Sequence, residues 1–134
     1  MAAIHVVTDG TVALPDGAAE AAGITVVPQN VILDGETYRA GIDITTDEIY
    51  ARLPTLSEPA RSSQASPGQF AEAYREVLSW GVEVLSLHLP RQLSGTVESA
   101  RSAVELLPED APVTVVETTW TSSALGLMCL RAAE

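Results

Sequence analysis

Apolar positions along the chain fall into short β-rich runs separated by segments with helical spacing. Ile4-His5-Val6-Val7 is the first run. It stops at Thr8-Asp9-Gly10-Thr11, where Asp-Gly marks a turn because glycine accepts positive φ. Pro15 suits the first turn of a helix over about Asp16 to Ala22, closed by Gly23. Ile24 to Val27 is a second strand. Asn30 to Leu33 continues as strand into Asp34-Gly35, which with Thr37-Tyr38 reads as a small hairpin. Thr45-Thr46-Asp47-Glu48 and Ser66-Pro67-Gly68-Gln69 both have capping-box spacing. The first opens a helix to about Leu53. The second opens one with Phe70, Ala73, Tyr74, Val77 and Leu78 on its apolar stripe, ended by Gly81. Between them, Pro54 to Ala65 is rich in Ser, Pro and Thr and reads as loop. Val82 to Leu89 is an alternating strand and Pro90 to Thr96 a loop. The next helix runs to about Leu107, with Val97, Ala100, Val104 and Leu107 buried. Val113 to Val116 is a further core strand, followed by the loop Glu117 to Thr121 and an apolar helix from about Ser122. This alternation predicts the α/β class: right-handed βαβ units and a parallel β-sheet flanked by helices on both faces. Phe70, Tyr74 and Trp120 are expected in the core.

A length of 134 residues suits one domain. With 46% apolar and 19% charged residues, the chain has the makings of a folded core. All seven basic residues are arginines. The absence of lysine excludes a lysine Schiff base and the P-loop lysine. Eighteen acids give a formal charge of −11, which repels nucleic acid and acidic membrane surfaces over most of the molecule and otherwise serves solubility. Cys129 lies in an apolar run, where a buried thiol is expected. His5 and His88 without paired cysteines make no zinc site, and no other metal or cofactor is expected. There is no signal-peptide pattern and no run of 18 apolar residues, so a cytoplasmic protein without a membrane span is expected. The last helix is still in its apolar pattern at Glu134, which suggests the first lobe of a larger protein.

Ligands of open parallel sheets sit beyond the carboxyl ends of the strands. Four segments are placed there: Thr8 to Thr11, Ser62-Ser63-Gln64, Leu93 to Thr96, and Thr118 to Thr121. They are rich in hydroxyls and glycine. That suits an anion held by neutral donors and helix N-termini, and offers little for proton transfer. In Ser94-Gly95-Thr96 the glycine permits close approach and both hydroxyls can donate, although either could simply cap the following helix. Thr8 to Thr11 could instead be the phosphate turn of a flavodoxin-like anion or nucleotide module, or a plain turn. His88, six residues before Ser94, raises a Ser–His hydrolase. The Gly-x-Ser-x-Gly elbow is missing, however, and there is no second loop histidine.

Taken in order, Val7-Thr8-Asp9-Gly10-Thr11, Leu14-Pro15, Val27-Pro28, Asp34 to Ile44, Ser62 to Gly68, Leu93-Ser94-Gly95-Thr96 and Ser99-Ala100-Arg101 resemble the DegV family of bacterial fatty-acid-binding proteins. The resemblance spans the chain (1–134) and corresponds to the family's N-terminal lobe, with the second lobe absent. It implies a carrier rather than an enzyme, holding a long-chain fatty acid between two lobes. Carried over, the carboxylate-binding residues are Ser62, Ser63, Ser94, Gly95 and Thr96. A separate fatty acid kinase is an implied partner in some bacteria, and the isolated lobe's exposed face suggests a homodimer. Departures are Gly10 for serine, Ser62 for threonine, Ala65 for proline and Ala40 for aspartate, with Trp120 and Ser123 straying in the last loop.

Overall fold

The computed structural model describes residues 3–134. In chain order the elements are β1 (Ile4–Asp9), α1 (Ala18–Ala21), β2 (Thr25–Val27), β3 (Asn30–Leu33), β4 (Glu36–Arg39), α2 (Thr46–Arg52), β5 (Arg61–Ser63), α3 (Pro67–Leu78), β6 (Glu83–His88), α4 (Thr96–Val104), β7 (Val113–Glu117) and α5 (Ser122–Ala133). A four-stranded sheet runs β2-β1-β6-β7, and its pairs are all parallel. The expected α/β class holds.

Because successive strand residues face opposite sides, β1 and β6 each feed two cores. Val7 and Val84 pack with Phe70, Tyr74 and Val77 of α3 and Ala100 and Ala103 of α4. Val6 and Leu87 pack on the other face with Leu125 and Cys129 of α5, and with Ala19 of α1 at the margin. The chain therefore has helices on both faces, and burying each large side chain contributes about 1.5–3 kcal/mol. Phe70 and Tyr74 are completely buried, as their stripe requires. Burial of Cys129 pushes its thiol pKa up, consistent with a structural rather than reactive cysteine.

Beside this sheet stands a second, antiparallel one in the order β4-β3-β5. Its β3–β4 hairpin is the one expected at Asp34-Gly35, whose φ values of 47° and 83° supply the two left-handed positions a tight hairpin needs. The third strand was not expected. Arg61 to Ser63, placed in a loop by composition, pairs with Ile32, Val31 and Asn30. Within the same stretch, Leu53–Thr55 forms a single 3-10 turn. Two other expectations change. The first helix is only Ala18–Ala21, because Gly17 before it adopts a left-handed φ of 75°. Trp120 is 52% exposed, not core. It sits in a turn closed by Thr118, whose hydroxyl accepts from Trp120 N and donates to Trp120 O, both at 3.1 Å.

Both capping boxes form. Thr45 accepts from Glu48 N and Ser66 accepts from Gln69 N, each at 3.2 Å, with the reciprocal side-chain bonds also present. Replacing Ser66 by alanine is expected to cost about 0.5–2 kcal/mol, read as a lower Tm with ligand behaviour unchanged.

Candidate functional site

A cleft of about 520 Å³ opens where the carboxyl end of β6 meets the antiparallel sheet. Leu89, Leu93, Ser94 and Gly95 line it from the β6–α4 connection, Ser62, Ser63 and Gln64 from β5 and the residue after it, and Thr11 and Gln29 from the β1 and β2 ends. None of these nine side chains is charged. A second groove of about 400 Å³, between Leu78, Val82, Pro108 and Pro112, lies at the amino ends of β6 and β7, the wrong end of a parallel sheet for a ligand.

Of the five residues expected to bind, the fold brings four to the cleft. Ser62 and Ser63 arrive on an exposed edge strand, not in a loop beyond a parallel strand as the sequence suggested. Ser94 and Gly95 are half-buried. The fifth, Thr96, is only 1% exposed and is absent from the lining. Its hydroxyl lies 2.8 Å from that of Ser94, and its backbone N–H donates to Ser94 Oγ at 3.3 Å. When Thr96 is the hydroxyl donor, Ser94 Oγ accepts twice and its own proton is left to point elsewhere. Gly95, rather than a hydroxyl residue, occupies the helix cap of α4, and no side chain caps that end. The connection is held from β7: Glu117 Oε1 accepts from Arg91 N at 2.9 Å, and this bond, against its desolvation and beside Arg91 and Arg101, keeps the Glu117 carboxyl below its ordinary range.

Of the other lining residues, Thr11, Gln64 and Leu93 lie in segments expected at the ligand end of the sheet without being named as binding residues, and Gln29 and Leu89 lie outside those segments. Thr11 carries the one buried side-chain polar atom without a hydrogen-bond partner among the described residues. An unmade buried bond of this kind costs about 1–3 kcal/mol. Its isolation depends on the fold, so the sequence held no signal for it.

His88 is not part of the cleft. Tyr74 Oη–H donates to Ser86 Oγ at 2.8 Å, Ser86 Oγ–H to His88 Nε2 at 2.7 Å, and His88 Nδ1–H to Asp9 Oδ2 at 2.6 Å. That direction satisfies every member. Phe70 closes the imidazole edge-on at 5.1 Å. Burial works against the Asp9 charge, but hydrogen bonds from His88 and Thr11 outweigh it and hold the carboxyl below its ordinary pKa. Burial likewise pushes the Tyr74 hydroxyl up to about 12. The Asp–His–Ser spacing is that of a hydrolytic triad, yet Ser86 and His88 are 0% exposed and Asp9 1%. With both ring nitrogens engaged, His88 has none to offer Ser94, which removes the hydrolase arrangement the sequence raised. The Thr8 to Thr11 turn is similarly occupied: Thr8 Oγ1 donates to Leu87 O at 2.8 Å and Thr11 N to Asp9 Oδ1 at 2.9 Å.

A protein-family model described as "Uncharacterised protein, DegV family" matches residues 3–134. A DegV domain-containing protein of Deinococcus radiodurans is 40% identical over 131 residues, which are 98% of this chain and 46% of that protein. Among solved structures, a DegV family protein of Thermus thermophilus described by its fatty acid binding is 42% identical. It superposes with a TM-score of 0.84 over 99% of this chain and 46% of its own. A stearic acid-binding protein of Eubacterium ventriosum, 30% identical, gives 0.84 over 96% of this chain and 45% of its own. The chain thus spans about half the length of the relatives it matches. Since the family model runs from Ala3 to the last residue and the parallel sheet, cleft and loops lie inside that match, the chain belongs to the DegV family.

Proposed function

We propose that this chain supplies the headgroup-holding part of a non-catalytic carrier for a long-chain fatty acid. The observation that carries the reading is the cleft itself: two serines of β5 and one of the β6–α4 connection on its lining, and no charged side chain there. A carboxylate there takes hydrogen bonds from Ser62, Ser63 and Ser94, each charge-assisted bond contributing about 1.5–3 kcal/mol. The N-terminus of α4 adds a favourable dipole. Thr96 acts by donating to Ser94, which frees the Ser94 proton for the ligand. Leu89 and Leu93 meet the first methylenes, each worth about 0.8 kcal/mol when buried. Leu93 is 64% exposed in this chain, so the tail needs a further wall from a second lobe or a second copy.

With no histidine, lysine or carboxylate on the lining, the cleft can hold an acid but has no base with which to transform it. Chemistry on the carboxylate therefore falls to a partner, and a kinase bringing its own ATP is the partner we propose.

The test is mass spectrometry of lipid extracted from the purified full chain. A saturated or monounsaturated fatty acid at near-stoichiometric amount is expected. A well-folded protein that carries no acyl chain and takes none up from added palmitate would show the reading to be wrong.

A further inference from the structure

The two serine-bearing segments are β5 and the β6–α4 connection, and the side chain of Gln64 reaches from the first across the second. Gln64, the residue after β5, sends its amide across the β6–α4 connection, where Nε2 donates to Ser99 Oγ at 2.9 Å inside α4. Its backbone carbonyl accepts from Asn30 Nδ2 of β3 at 3.4 Å. Asn30 in turn exchanges amide bonds with Gln69 of α3, both at 3.2 Å. The amide of Gln64 lies flat on Gly95: a Cβ built there would stand 2.8 Å from both Nε2 and Oε1, the nearest atoms to it. Gly95 has a φ of −73°, which any residue adopts. Its need for glycine is therefore not conformational. It comes from the amide that crosses it.

We propose that Gln64 is the positioning residue that locks Ser62-Ser63 and Ser94 into a single carboxylate site, and that position 95 is glycine to let this amide pass. The inference rests on the carrier reading for its effect on ligand, but the lock is a property of the protein alone. Without it the antiparallel sheet keeps its own strands, and the parallel sheet its own. What is lost is their registration at the cleft. An alanine methyl at 95 meets only the end of a flexible side chain, so it displaces the amide rather than breaking the backbone.

The experiment uses four variants of the full chain: Gln64→Ala, Gln64→Glu, Gly95→Ala and the double Gln64→Ala/Gly95→Ala. Without ligand, hydrogen exchange at the Ser94, Gly95 and Thr96 amides is expected to quicken about tenfold in Gln64→Ala. It should return towards the parent rate in Gln64→Glu, where the Ser99 hydroxyl donates to the new carboxylate. With palmitate as probe, Gln64→Ala and Gly95→Ala should each weaken binding about tenfold, with Tm little changed. The double variant should be no weaker than the worse single one, because both break the same contact. Unchanged exchange in Gln64→Ala overturns the proposal, and so does a Gly95→Ala penalty that is undiminished when Gln64 is already alanine. If the parent does not bind palmitate, the carrier reading fails instead, and the exchange arm still decides the lock.

Discussion

Replacing Asp9 by alanine is expected to cost about 2–6 kcal/mol, from two donors that each lose their acceptor at about 1–3 kcal/mol apiece. The carboxylate accepts from His88 Nδ1 at 2.6 Å and from Thr11 N at 2.9 Å. Alanine leaves both donors without an acceptor at the centre of the sheet, with Ser86 and Tyr74 lined up behind them. Since a domain's whole stability is about 5–15 kcal/mol, the loss would show as a large fall in the urea midpoint or as failure to fold. Asp9→Asn keeps the variant series informative. An asparagine oxygen still accepts from Thr11, and its amide can donate to His88, so the relay can reverse its donors at smaller cost. The pH dependence has a definite sign. The Asp9 pKa is lowered in the native state from 3.8, so the unfolded chain takes up that proton first as acid is added. The stability it contributes is fully present above the ordinary carboxylate value and is lost as pH falls through the lowered native one. Asp9→Asn should flatten that part of the acid-unfolding curve.

The second large effect is on ligand. Removing both hydroxyls in Ser62→Ala/Ser94→Ala is expected to weaken fatty acid binding by roughly 100-fold or more, from two charge-assisted bonds at about 1.5–3 kcal/mol each and 1.4 kcal/mol per tenfold. Ser62 is exposed on an edge strand, so its loss should leave Tm unmoved. Ser94 also accepts from Thr96 N, and losing that bond should lower Tm slightly. Titration with palmitate and a parallel melting curve separate the two. Retained affinity would mean the carboxylate is held elsewhere.

The contrast between Ser66 and Ser62 explains why some of this was legible in advance. Ser66 acts within its own helix, on an N–H three residues away, so spacing alone reveals it. Ser62 owes its place to pairing with Val31, 31 positions earlier in the chain. Arg61 to Ser63 is exposed throughout, so no apolar alternation marks it as a strand. The relay shows the same divide within a single feature. Ser86 and His88 share a face because they are two apart on one strand. Asp9 joins them only through the parallel register that sets Val7 beside Ser86. Trp120 misled for a related reason: its size suggests a core residue, but the Thr118 turn carries it outward.

What the sequence determined by itself were the local decisions: the capping boxes, the Asp34-Gly35 hairpin, the apolar stripe of α3 and the hydroxyl-rich composition of the loops. These depend on neighbours within a few residues, where steric and hydrogen-bonding preferences act without help. The tertiary structure decided which serines line a cleft, which hydroxyl is buried against its neighbour, and that a glutamine after β5 crosses a glycine to reach α4. Those outcomes depend on strand register and on distances between segments far apart in the chain, and only closure of the fold brings such groups within hydrogen-bond reach.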